Sequence, residues 1–196
     1  DTSIDYANVP WVFRCAPADS RQAEMLLEFA KKRGFNRLVA VTEIGREAHA
    51  GFQRLQEISG RMRYPLAGRV QYPIGSPEAV IPQLRAIEAD ALVVWGSPKG
   101  VLSFLRALGA SGIHLPVLGT SSLAASEVAE TLQPMDELIV AAPFDLGSQN
   151  REFRDFARRY RSRTGMLPSP VAVHAYDAAR LVIKAIETAG LNRVRI

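Results

Sequence analysis

Cysteine is almost missing from this chain: Cys15 stands alone among 196 residues. A single thiol rules out an internal disulfide and leaves the redox compartment open. No activating base accompanies it in a recognisable pattern, so Cys15 reads as a small buried residue near a strand end. Long apolar runs are missing too, and no stretch approaches the ~18 residues a membrane span needs. Glycine-rich phosphate loops are absent: there is neither a G-x-G-x-x-G nor a Gly-Lys-Ser/Thr after a strand. The G-x-S-x-G turn of the α/β-hydrolases is absent as well. His49, His114 and His174 are widely separated and lack a metal-ligand spacing. His174 and Asp177 can meet only at i, i+3 within a helix, a packing arrangement. The chain shows no catalytic set, no metal site and no cofactor motif, which favours binding over turnover.

Apolar residues make up 47% of the chain and charged residues 22%, enough to build a core and too balanced for disorder. The length fits one large domain or two small lobes. Opening at Asp1, without the pattern of a secretory signal, leads to the expectation that an amino-terminal part is missing. The net charge of +4 comes with many arginines and few lysines. Arg151, Arg154, Arg158, Arg159, Arg161 and Arg163 crowd one stretch, the composition of a nucleic-acid contact. Phe153, Phe156, Ala157 and Tyr160 recur there at helical spacing, and Glu152 and Asp155 interleave. A solvated basic face on an amphipathic helix is therefore the favoured reading, and nucleic acid is not an expected partner.

Strand and helix patterns alternate along the first 142 residues. Trp11–Arg14 reads as a short strand. Asp19 or Ser20 then caps a helix whose inner face is Ala23, Leu26, Leu27 and Ala30, ending at Gly34. The strand Leu38–Val41 precedes a helix over 46–59 with Phe52 and Leu55 inward. A strand lies within 64–72. A helix begins at Pro77, with Val80, Ile81, Leu84 and Ile87 inward. The strand Ala91–Trp95 leads to a helix over 98–108 bearing Val101, Leu102, Leu105 and Leu108. The strand Leu115–Leu118, a short helix over 125–132 and the strand Leu138–Ala142 follow. Two long helices, over 150–164 and 170–189, complete the chain. Continuous apolar strands joined by helices predict an α/β fold, a doubly wound parallel sheet covered on both faces.

Ligands of such sheets sit outside the carboxyl ends of the strands, near helix N-termini. Three of these ends carry small or polar residues: Thr42, Glu43, Ile44 and Gly45; Gly96, Ser97 and Pro98; and Thr120, Ser121 and Ser122. Hydroxyls, the Glu43 carboxylate and the Trp95 ring there suit a small polar or zwitterionic ligand. Gly96–Gly100 also reads as a plain turn and cap, because Pro98 offers no N–H and suits the first helical position.

Taken in order, several segments resemble the branched-chain amino-acid type of ABC-transporter solute-binding protein, the type I periplasmic binding fold. They are Val12–Arg14 with Asp19 and Gln22, Arg37–Val41 with Gly45, and Ile87–Gly96. Phe104–Leu108 with Gly112, Pro116–Thr120, Phe153–Tyr160 with Gly165, and Ala175–Ala178 with Ala189 and Gly190 continue the series. The resemblance implies a non-enzymatic, periplasmic or extracytoplasmic binder that delivers a small-molecule ligand to a permease. It implies two lobes closing by a hinge: 15–142 as one complete lobe, and 1–14 with 143–196 as parts of the other. Carried onto this chain, the ligand contacts are Glu43, Ile44, Gly96, Ser97, Pro98, Thr120, Ser121 and Ser122. Ile44 replaces an aromatic of the family pattern. The Thr120–Ser122 group lacks the carboxylate that amino-acid binders often place there, so a neutral or carboxylate-bearing molecule, aromatic ones included, fits as well as an amino acid. Glu43 either replaces that carboxylate as partner of an amine or faces solvent. Other readings are a ligand-sensing regulatory domain of the same fold and a Rossmann-like enzyme. Uncovered apolar faces on the last two helices lead to the expectation of dimers or of exchange between copies.

Overall fold

Every residue of the strand Leu38–Glu43 (β1) is buried, and so is every residue of Ala91–Trp95 (β3). Such strands are stable only where helices cover both faces of a sheet, because neither face offers a polar side for water. The computed structural model describes residues 14–124, 137–145 and 147–191 and supplies that cover. β1 and β3 lie side by side in a five-stranded parallel sheet of order β2-β1-β3-β4-β5, where β2 is Gly68–Tyr72, β4 is Val117–Gly119 and β5 is Leu138–Val140. The register pairs Val39 with Gly68 on one side of β1 and with Leu92 on the other.

Helices α1 (Asp19–Arg33) and α2 (Arg46–Arg61) cover one face, where Leu26, Leu27, Leu55 and Ile58 meet Leu38, Ala40, Val93 and Trp95. A 3₁₀ turn at Pro77–Val80, α3 (Ile81–Ala86) and α4 (Pro98–Ala110) cover the other. There Val80, Leu84, Phe104 and Leu108 meet Val39, Val41, Val70 and Val94. The chain winds outward from β1 to β2, then returns past β1 to β3, with the connecting helices changing face. That is the arrangement right-handed crossovers require.

Several boundaries differ from the sequence expectation. β1 runs on through Thr42 and Glu43, because parallel pairing with Gln71 and Tyr72 carries both polar residues into the sheet. Ala18 occupies the N-cap of α1 without a side-chain hydrogen bond, and Asp19 and Ser20 lie inside the helix. Phe104, not Leu102, joins Leu105 as fully buried in the second turn of α4. Arg14 is not in a strand and Cys15 is half-buried. The remainder of the expected strand at 11–14 and the helix expected over 125–132 fall outside the described residues.

The chain divides into two compact units, whose described parts are 18–124 with 137–142, and 14–17 with 143–145 and 147–191. The second unit contains α5 (Arg151–Thr164) and α6 (Pro170–Ala189). Asn150 caps α5 by accepting from the Phe153 N–H at 3.1 Å, and Ser169 caps α6 by accepting from that of Ala172. Phe156 is buried and stacks on Tyr176 with ring centres 4.3 Å apart. Arg154, Arg158, Arg161 and Arg163 are exposed, as expected of a solvated basic face.

At the amino ends of the two central strands, the Asp90 carboxylate accepts from the backbone N–H groups of Asn36 at 2.7 Å and Arg37 at 2.9 Å. These bonds, with the Arg37 guanidinium, hold Asp90 below the usual carboxylate range. A depressed folded-state pKa adds stability that is complete above the unfolded value of about 3.9 and is lost as pH falls through the folded one. Thermal unfolding followed against pH should therefore show Asp90→Asn less stable than the parent at neutral pH, with the gap closing in acid. An unchanged gap across that range would contradict the assignment.

Candidate functional site

Strand alternation places Val39, Val41 and Glu43 on one face of β1, so the Glu43 side chain points under the start of α4. It is 6% exposed, and its Oε2 accepts from the Ser97 N–H at 2.8 Å. Ser97 is itself the N-cap of α4, its Oγ accepting from the Gly100 N–H at 3.1 Å, and Pro98 follows as the first helical residue. The carboxylate thus meets the positive end of the helix dipole and a backbone donor together, which stabilises its charge despite burial.

Two glycines make room for it. A Cβ on Gly100 would lie 2.1 Å from Glu43 Oε1, and one on Gly96 would lie 2.9 Å from the Glu43 Cβ. The Gly96–Gly100 segment is therefore a turn and cap that encloses the chain's own carboxylate.

Tyr72, the register partner of Glu43 on β2, completes this cluster. It is fully buried and stacks on Phe104 at 5.5 Å. Its hydroxyl is buried with no hydrogen-bond partner among the described residues. Burial pushes the phenol pKa well up, and the Glu43 charge adds to this. The sequence reading passed over Tyr72. Its only signal there was an aromatic residue closing the strand next to one that ends in a carboxylate.

The end of β4 is built differently. Thr120 is buried, and its Oγ1 lies 2.8 Å from the Ser122 Oγ. Ser121–Leu123 form a 3₁₀ turn, and the Ser121 N–H donates to Oε1 of buried Gln22 on α1 at 2.8 Å. Gly119 is close against Leu123, where a Cβ would come within 2.3 Å. Gln22 is thus a second residue at this edge, beside Tyr72, that the strand-end pattern does not reveal.

Three features of this edge stay open. Ile44 is 50% exposed, its N–H bonded to the Tyr72 carbonyl at 2.8 Å. Pro98 is exposed, and Gly96, Ser97, Ser121 and Ser122 are half-buried. Trp95 does not belong with them. It is 5% exposed and packs in the α1–α2 core, with its Nε1 against Gly51 of α2. The edge is thus an apolar patch at Ile44 beside a row of hydroxyls, with its carboxylate already engaged. It lies at the β1/β3 switch point, where the winding reverses and open α/β sheets form their ligand crevice.

Gly100→Ala should force the Glu43 carboxylate off the α4 N-terminus, lowering stability by about 1.5–3 kcal/mol, the value of a hydrogen bond to a charged group. In a Glu43→Ala background nothing is displaced and alanine's higher helix propensity prevails, so the same change should be neutral or stabilising. Denaturant unfolding of the four proteins tests this. Equal effects in both backgrounds would refute the packing argument.

Comparison with known proteins agrees with this architecture. No curated protein matches the chain. Solved structures do. An ABC-transporter substrate-binding protein from Desulfitobacterium hafniense in complex with Leu superposes with a TM-score of 0.75 at 21% identity, covering 95% of this chain and 54% of that one. A leucine-binding protein from Thermotoga maritima gives 0.76 at 21% identity, with 90% and 52% covered. A solute-binding protein of an ABC transporter from R. palustris, in complex with benzoate, gives 0.80 at 17% identity, with 94% and 52% covered. The chain therefore spans about half the length of each of these structures. The family model described as periplasmic binding protein matches residues 2–195, and this chain belongs to that family.

Proposed function

We propose that this protein is the solute-binding component of an ABC-type uptake system, working outside the cytoplasm without catalysis and handing its ligand to a permease. The observation that carries this is the open carboxyl edge at the β1/β3 switch point, in a chain of the periplasmic binding protein family. In this reading residues 15–142 are one complete lobe, and 1–14 with 143–196 belong to the other. The ligand is a small polar or aromatic molecule, an amino acid or a carboxylate. Its body rests on Ile44, and its polar atoms meet Gly96, Ser97, Ser121 and Ser122, with Pro98 at the rim and Thr120, buried and bonded to Ser122, holding the row in place. Glu43 holds the loop and does not contact the ligand, because its Oε2 is taken by the Ser97 N–H. That favours a neutral or carboxylate-bearing head at this wall over an ammonium.

Calorimetry of the two-lobed protein against leucine, isoleucine, valine and benzoate should give saturable heat with one of these classes. Ile44→Arg and Ser121→Trp, both at open positions, should weaken it about tenfold or more, equivalent to 1.4 kcal/mol. A flat response from folded protein across the whole panel would sink the reading.

The 196-residue chain taken by itself is further proposed to self-associate. Leu181, Val182 and Ile183 are each more than half exposed on α6, and large apolar side chains left open to water favour association. Light scattering should show mass rising with concentration, and Leu181→Lys with Ile183→Lys should return it to the monomer value. A parent chain that stays monomeric at high concentration would contradict this.

A further inference from the structure

Beside the start of the edge strand β2 lies a groove of about 580 Å³. That volume is within the range of small-molecule sites. α2 from Phe52 onward and the turn that follows it form its sides, with Phe52, Tyr64 and Leu66 as apolar lining. Arg63 and Arg69 are its charged residues, and no Asp or Glu lines it.

Arg69 is fixed in place on two sides. Its Nε donates to Thr42 Oγ1 at 3.1 Å, and its guanidinium lies 3.8 Å from the centre of the Phe52 ring. Its Nη2 is buried without an acceptor among the described residues. A buried guanidinium donor left unmade is costly, and a carboxylate oxygen is a strong acceptor for it. Burial also lowers the Arg69 pKa.

We propose that this groove is a second ligand site, independent of the strand-end edge, that takes a small organic carboxylate. The carboxylate meets the Arg69 guanidinium, with Arg63 adding charge at the rim, and the apolar body of the molecule lies against Tyr64 and Leu66. The mostly apolar lining selects a carboxylate with a hydrocarbon body over a strongly hydrated oxyanion.

The test is amide NMR of the whole chain, titrated separately with benzoate and with inorganic phosphate. Benzoate should produce saturable shifts, in the millimolar range, at amides within residues 59–69. Arg69→Gln should weaken that binding about tenfold, the scale of one charge-assisted hydrogen bond, and Arg69→Lys should recover part of it. Arg63→Gln, at an exposed position and with its fold confirmed by its own spectrum, should weaken it less, and it keeps the test decisive if Arg69→Gln fails to fold. The proposal is overturned if benzoate moves only amides 96, 97 and 120–122, if phosphate shifts the groove amides as strongly as benzoate, or if both glutamine variants bind like the parent. The first of these outcomes would leave the uptake reading standing.

Discussion

Two-sided burial of the central strands is the constraint from which the rest of the molecule follows. A strand with helices on both faces has no polar side, so β1 as far as Val41 and the whole of β3 are apolar. Polar chemistry is then displaced to where the strands stop and backbone groups of the next element become available. The consequence is visible at each carboxyl end. Glu43 is taken up by Ser97, Thr120 by Ser122, and the Ser121 N–H by Gln22. What remains open to a ligand is what these bonds leave over: the Ile44 side chain and the outer hydroxyls.

Glu43 shows how a buried charge can belong to the scaffold of a binding edge. Free, it would be an anion awaiting a cationic ligand. Held beneath α4, it neutralises a helix terminus that would otherwise attract anions. The electrostatic character of the edge is therefore milder than its residue types suggest. Tyr72 sharpens this, since its unpartnered phenol sits beside the carboxylate in an apolar setting with its own proton firmly held.

The fold was largely legible in the sequence, and the reasons are local. Ala91–Trp95 and Pro170–Ala189 have the bounds expected, because the first is an unbroken apolar run ended by glycine and the second opens on Ser-Pro and closes at glycine. What escaped was set by partners distant in the chain. Thr42 and Glu43 read as loop residues until β2 pairs with them. Phe104 turns inward because Tyr72 waits there to stack on it. Trp95 looked like a ligand platform, yet Gly51 on α2 leaves the gap that draws its ring into the core. Gln22 stood out only as part of the family resemblance, and its bond was not legible, since it depends on a backbone N–H 99 positions away. Arg69 was equally silent, its surroundings being assembled from α2, β1 and a turn.

That bond between Gln22 and Ser121 bears on the order in which the molecule takes shape. Contacts far apart in sequence form only after the intervening chain has been drawn together, because the entropy of closing that loop must be overcome first. The Ser121 turn is held from α1, so its geometry waits for α1, β1, β3 and β4 to assemble around it. A nascent or partly folded chain would carry all the hydroxyls of this edge but not their arrangement. The arrangement of this edge is thus acquired late, as a property of the finished sheet.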